Sequence, residues 1–115
     1  MLHTDLTQLR KVVEQAITQG RLGRPQFLRC IAQAADPDRP GQTLTALVSL
    51  VESWFGAPVV RRFDLESDSK VSLTQMLKWP GGQAALITIS AQHAVGDCEL
   101  DLMLIGSRGT VYFEG

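Results

Sequence analysis

The feature that most limits what this chain can fold into is its C-terminal stretch from Leu73 to Phe113. It runs as strand-like segments cut by three turn signals: Pro80-Gly81-Gly82, Val95-Gly96-Asp97 and Gly106-Ser107-Arg108-Gly109. Proline presets φ for a turn and glycine takes positive φ without penalty, so each cluster ends one strand and opens the next. Between the turns the side chains alternate. Val71, Leu73, Leu77 and Trp79 share one face of the first segment. Leu100, Leu102 and Leu104 share one face of the third, with Glu99 and Asp101 opposite. A period of two marks a sheet with one buried side. The middle segment, Ala84 to Ala91, is apolar or small on both faces, which predicts a central strand covered on both sides.

Upstream the period changes. Asp5, with Gln8 three residues on, forms a capping-box pattern, and Leu6, Leu9, Val12, Val13, Ala16 and Ile17 follow a helical stripe that Gly20 ends. Gln26 to Ala34 reads as a strand with apolar residues on both faces, and Asp36-Pro-Asp-Arg-Pro-Gly as a polar loop. A second amphipathic helix starts at Thr43, passes through Leu47, Val51, Trp54 and Phe55, and stops at Gly56 with Pro58 just beyond. Val59 to Leu65 is a further strand. This order predicts one α+β domain over residues 1–115: two helices on one face of a mostly antiparallel sheet of about six strands, with no dinucleotide-binding domain.

Composition excludes several function classes. Eleven Lys and Arg against twelve Asp and Glu give a net charge of −1, interspersed, so there is no basic footprint for nucleic acid. No apolar run approaches the roughly eighteen residues of a membrane helix. The N-terminus Met1-Leu-His-Thr-Asp lacks the basic and apolar regions of a signal peptide, so the expected location is cytoplasmic. His3, Cys30, His93 and Cys98 have no zinc-ligand spacing, and no metal or other cofactor is expected; the two cysteines read as small buried residues. Gly20-x-x-Gly23 and Gly106-x-x-Gly109 do not stand between a strand and a helix, so they read as turns rather than phosphate loops.

Four pieces in order resemble the C-terminal domain of the Gfo/Idh/MocA oxidoreductases. They are Val13-Glu-Gln-Ala-Ile-Thr-Gln-Gly-Arg-Leu-Gly-Arg-Pro, Trp54-Phe-Gly-Ala-Pro-Val, Trp79-Pro-Gly-Gly-Gln-Ala and Leu104-Ile-Gly-Ser-Arg-Gly-Thr-Val. The resemblance implies the α+β half of a two-domain enzyme whose other half is a dinucleotide-binding Rossmann domain. It also implies where chemistry would lie. The family's Asp and, four residues on, His at the start of the second helix fall near Gln42 and Ala46, and a further Asp near Ser49. Gln42 is no general acid or base, and Ala46 carries no functional group. The GxGxxG loop and the Glu-Lys-Pro lysine have no counterpart in the sequence. The resemblance thus implies the fold without the hydride-transfer chemistry.

His93 is the best lone candidate for chemistry, although a polar residue at a strand end beside a turn is the plainer account of it. Glu99 and Asp101 read as the solvated side of a strand. Arg61 and Arg62 point to opposite faces and form no anion clamp. Trp79 with His93 marks a candidate ligand-binding end, since aromatics at strand ends line pockets. The favoured expectation is a non-catalytic domain that forms a homodimer through an outer sheet face carrying Ala85, Ile87, Ile89 and Ala91. The alternatives are half of a split oxidoreductase completed by a separate Rossmann subunit, and a small ligand-binding module.

Overall fold

A computed structural model describes residues 6–34, 39–65, 72–90 and 100–115. Helix α1 spans Leu6–Thr18, strand β1 Pro25–Gln33 and helix α2 Pro40–Phe55. Five strands follow: β2 Arg61–Leu65, β3 Ser72–Lys78, β4 Ala84–Ser90, β5 Leu100–Gly106 and β6 Thr110–Glu114. They form one six-stranded sheet in the order β2-β3-β4-β1-β5-β6. β1 runs parallel to β4, because helix α2 lies in the connection between them; every other pairing is antiparallel. The architecture is the expected α+β one, on a mixed sheet.

The element ends follow local chemistry. Gly56 takes φ 76°, a left-handed C-cap conformation costly for a residue with a Cβ, and its N–H donates to the Glu52 carbonyl at 2.9 Å. Helix α2 begins three residues ahead of the expected Thr43, since Pro40 occupies the first turn, where its missing N–H costs nothing. Both Gly-x-x-Gly segments are turns, and they pack on each other. Arg108 N–H donates to Leu22 O and Ser107 N–H to Arg24 O, each at 2.9 Å. A Cβ on Gly106 would collide with the Leu22 carbonyl, so glycine there permits the close approach of the two turns. The Asp5 cap lies outside the described residues.

Both helices lie on one side of the sheet. Leu9, Val13 and Ala16 from α1 and Leu47, Val48, Val51, Trp54 and Phe55 from α2 bury against Leu28, Cys30 and Ala32 of β1, Leu77 of β3, and Leu100, Leu102 and Leu104 of β5. The β4 residues in that core are Ala85, Ile87 and Ile89, each with 0% exposure. Register explains it. Leu28, Cys30 and Ala32 pair with Ala85, Ile87 and Ile89 on one side and with Leu104, Leu102 and Leu100 on the other, so all nine share a face. The expectation that Ala85, Ile87 and Ile89 form an outer dimer interface is therefore corrected: they are the floor beneath the helices. Ala91 lies outside the described residues. Leu73 shares this face too, opposite Ile89, yet is 40% exposed.

Candidate functional site

With the helices on one face, no described element covers the other face of the sheet, and following the pairings across the strands gives its composition. The middle row reads Phe63, Met76, Leu86, Arg29, Met103 and Tyr112 from β2 to β6. One flanking row carries Leu65, Thr74, Thr88, Ile31, Asp101 and Glu114; the other carries Arg61, Lys78, Ala84, Phe27, Ile105 and Thr110. Large apolar side chains on this face are substantially exposed: Ile31 47%, Phe63 44%, Leu65 47% and Tyr112 65%. Phe27, Met76, Leu86, Met103 and Ile105 are half-buried among them. Thr74 and Thr88 hydrogen-bond to each other at 3.0 Å across β3 and β4, so that polar pair is satisfied within the chain. Apolar side chains thus occur on all six strands of this face, interrupted in the middle row by the exposed Arg29, a surface larger than scattered single exposures.

A second concavity lies on the opposite side of the molecule, between the two helices. It is an open groove of about 430 Å³ lined by Leu6, Thr7, Arg10, Ala46, Ser49, Leu50 and Ser53. Ala46 and Ser49 are two of the positions at which the resemblance locates acid–base residues. Here they contribute a methyl and a hydroxyl. Arg10 is the ionisable side chain among the lining residues, and its Nε lies 3.3 Å from Glu14 Oε1 one turn along α1. Gln42 is exposed at the start of α2 and does not line the groove.

The aromatic end of the sheet is core rather than pocket. Trp79 is 3% exposed, its Nε1–H donates to the Ala57 carbonyl at 2.7 Å, and its ring meets Phe55 edge-on with centroids 4.6 Å apart. A planar ligand has no free Trp79 face to stack on, so the expectation of a ligand-binding end there is corrected for this residue. His93, Cys98 and Glu99 lie outside the described residues. Trp54 also has its indole N–H buried, but with no hydrogen-bond partner. Cys30 is buried under the helices; desolvation, and secondarily the charge of Asp101, push its thiol up to about 12. A thiol so raised carries essentially no thiolate at neutral pH and is no nucleophile. No group of three or more His, Cys, Asp or Glu able to hold a metal occurs among the described residues. No described helix is long and apolar enough to cross a membrane.

No family model matches the chain, and no curated protein matches it in sequence. Solved structures do match in fold. A probable dehydrogenase from Thermotoga maritima superposes with a TM-score of 0.74 at 17% identity over 91% of this chain and 38% of its own. Myo-inositol 2-dehydrogenase from Lactobacillus plantarum gives 0.69 at 15% identity, over 90% of this chain and 38% of its own. The WlbA dehydrogenase from Bordetella pertussis, in complex with NADH and UDP-GlcNAcA, gives 0.66 at 18%, over 91% and 37%. The chain thus spans well under half the length of the structures it matches, and at these identities the likeness establishes the fold.

Proposed function

We propose that this chain, whose fold is that of the C-terminal domain of Gfo/Idh/MocA-type dehydrogenases, works as a non-catalytic assembly module that pairs with a second copy of itself through the open face of its sheet. The observation that carries the reading is the middle row of that face, where Phe63, Met76, Leu86, Met103 and Tyr112 run almost edge to edge. Six strands about 4.8 Å apart and about 20 Å long present roughly 580 Å² in plan, the same order as the about 800 Å² per partner of a standard protein–protein contact. Two sheets packing face to face interdigitate such side chains about 10 Å apart. The groove between the helices supports the non-catalytic part, because Ala46 and Ser49 offer neither a carboxylate nor an imidazole where the resemblance would place acid–base residues. Sedimentation equilibrium over a range of concentrations tests the reading. A species of twice 12.6 kDa at micromolar concentration is expected; a monomer throughout overturns it.

One observation favours a second reading, in which a separate Rossmann subunit completes an oxidoreductase. The outer face of α2 exposes Gln42, Thr45, Ala46, Ser49 and Ser53, small and uncharged residues beside the groove. A solvated helix face is ordinarily studded with charge. Co-expression with a Rossmann protein encoded beside this chain distinguishes the two readings: co-elution supports the second, and separate elution removes it.

A further inference from the structure

Charge is interspersed along the sequence but segregated in the sheet. Following the ladders from the end at which β1 and β4 begin, the first charges met are Arg61 and Lys78, then Arg62, then Arg29. The described carboxylates of the sheet come only after them, Asp64 in the next row and Asp101 and Glu114 in the one beyond. Arg24, just ahead of β1, and Arg108, in the turn between β5 and β6, add two more cations at the basic end. All six are exposed, and none makes an ion pair with a described residue. The described helix carboxylates are engaged elsewhere. Glu14 pairs with Arg10, and Glu52 accepts the Val59 N–H at 2.8 Å.

A pocket of about 220 Å³ opens at this end, between the start of β1 and the β3–β4 turn, lined by Arg24, Pro25, Gln26, Gly81, Gly82 and Gln83. Its cation is anchored through the backbone. Arg24 N–H donates to Ser107 Oγ at 2.8 Å, and the Arg24 carbonyl accepts the Ser107 N–H at 2.9 Å. Gln83 folds back against the turn, where a Cβ on Gly81 would come within 2.6 Å of its Oε1, so glycine leaves room for that amide. We infer that this pocket binds the phosphoryl group of a small organic phosphate, with Arg24 as its cation and the Gln26 and Gln83 amides as further donors. A guanidinium presents a planar fork of N–H donors that matches phosphate oxygens two at a time. Each amide NH2 donates two more hydrogen bonds and brings no charge that opposes an anion. The remaining cations act through their field, which concentrates a dianion more strongly than a singly charged carboxylate. Size sets the rest. Sites that enclose a whole drug-sized ligand run to roughly 300–1,000 Å³, so this smaller one takes the charged group and leaves the organic part outside. The pocket lies at the end of the sheet rather than on its open face, so it is available whether or not the chain pairs with itself.

Amide NMR titrations with methyl phosphate, inorganic phosphate and acetate at about pH 7.5, where a phosphate monoester is largely a dianion, test the site. Methyl phosphate should give saturable shifts at Arg24, Gln26, Gly81, Gly82 and Gln83, and acetate should bind at least about tenfold more weakly. Arg24→Gln keeps the backbone bonds to Ser107 and should weaken methyl phosphate binding about tenfold, and Gln83→Ala should weaken it less. Lys11→Gln, which removes the same charge from α1, should leave binding unchanged. Circular dichroism checks that each variant is folded. Shifts that spread over all the exposed cations without saturating overturn the site, as does a folded Arg24→Gln chain that binds as tightly as the native one. Acetate binding as tightly as methyl phosphate overturns the phosphoryl assignment. A pocket that takes inorganic phosphate but excludes methyl phosphate overturns the organic ligand.

Discussion

The two faces of the sheet are built from alternate residues of the same strands, yet they perform different tasks. On the covered face Leu28, Ala85, Ile87, Ile89, Leu100, Leu102 and Leu104 all have 0% exposure and meet the helices. On the open face the intervening residues stay partly or largely exposed, with charge confined to two corners and the centre. Apolar character alone does not tell them apart, since Leu86 and Ile87 are both large aliphatics one position apart. What separates them is which side the helices occupy. A one-residue slip in pairing would exchange the two sets completely.

The most severe way to probe the difference is a charge beneath the helices. Ile87→Lys puts an unpaired ammonium into a desolvated core, a cost of several kcal/mol comparable to the whole stability of a small domain. Loss of the native circular dichroism spectrum is expected, and a cooperatively folded Ile87→Lys protein would show that this face is not the core. A gentler comparison uses neighbours on β5. Leu102→Ala should lower stability by about 2–5 kcal/mol in urea titrations, and Met103→Ala, on the open face, by under about 1 kcal/mol when measured on the monomer. Equal losses would contradict the division between the faces.

Much of the element order is legible in the sequence. The helical stripe from Leu6 to Ile17, the left-handed stop at Gly56 and the turn glycines are local signals, and local physics sets them. The assignment of faces is not local. β4 is apolar on both sides, so its own sequence carries no parity, and its parallel pairing with β1 joins residues far apart in the chain. One signal does bear on it. The turn after Trp79 is closed by Trp79 N–H donating to the Gln83 carbonyl at 3.0 Å, which pairs Lys78 with Ala84 and hence Leu77 with Ala85. Turn length sets register, so Ala85, Ile87 and Ile89 must share the buried face of Leu77. Trp79 departs from expectation for a related reason: a strand-end aromatic lines a pocket in some folds, but here the Ala57 carbonyl lies within reach of its indole and holds it in the core.

The two tryptophans sharpen the comparison on the covered side. Trp79→Phe removes the hydrogen bond to Ala57 and leaves a part-buried carbonyl unpaired, whereas Trp54→Phe removes an N–H that has no partner. The first should cost about 1 kcal/mol more than the second in urea unfolding; the reverse order would contradict the hydrogen-bond assignment. Cys30 gives a comparable effect, seen only in alkali. Its native thiol titrates at about 12 against 9.0 for an unperturbed one, so the unfolded chain loses its proton first. The contribution is fully present below pH 9 and is lost as pH rises towards 12. Cys30→Ala should therefore lose less stability between about pH 8 and pH 10 than the native chain, and parallel pH profiles would count against the burial of the thiol.

The most direct test of the central claim, that one face folds the chain and the other assembles it, is the size of the Leu86→Lys protein in solution. Leu86 is the neighbour of Ile87 and sits in the middle row of the open face. Light scattering and circular dichroism on this variant should show a monomer with the native spectrum. A Leu86→Lys chain that unfolds, or one that remains as dimeric as the native protein, would contradict the claim.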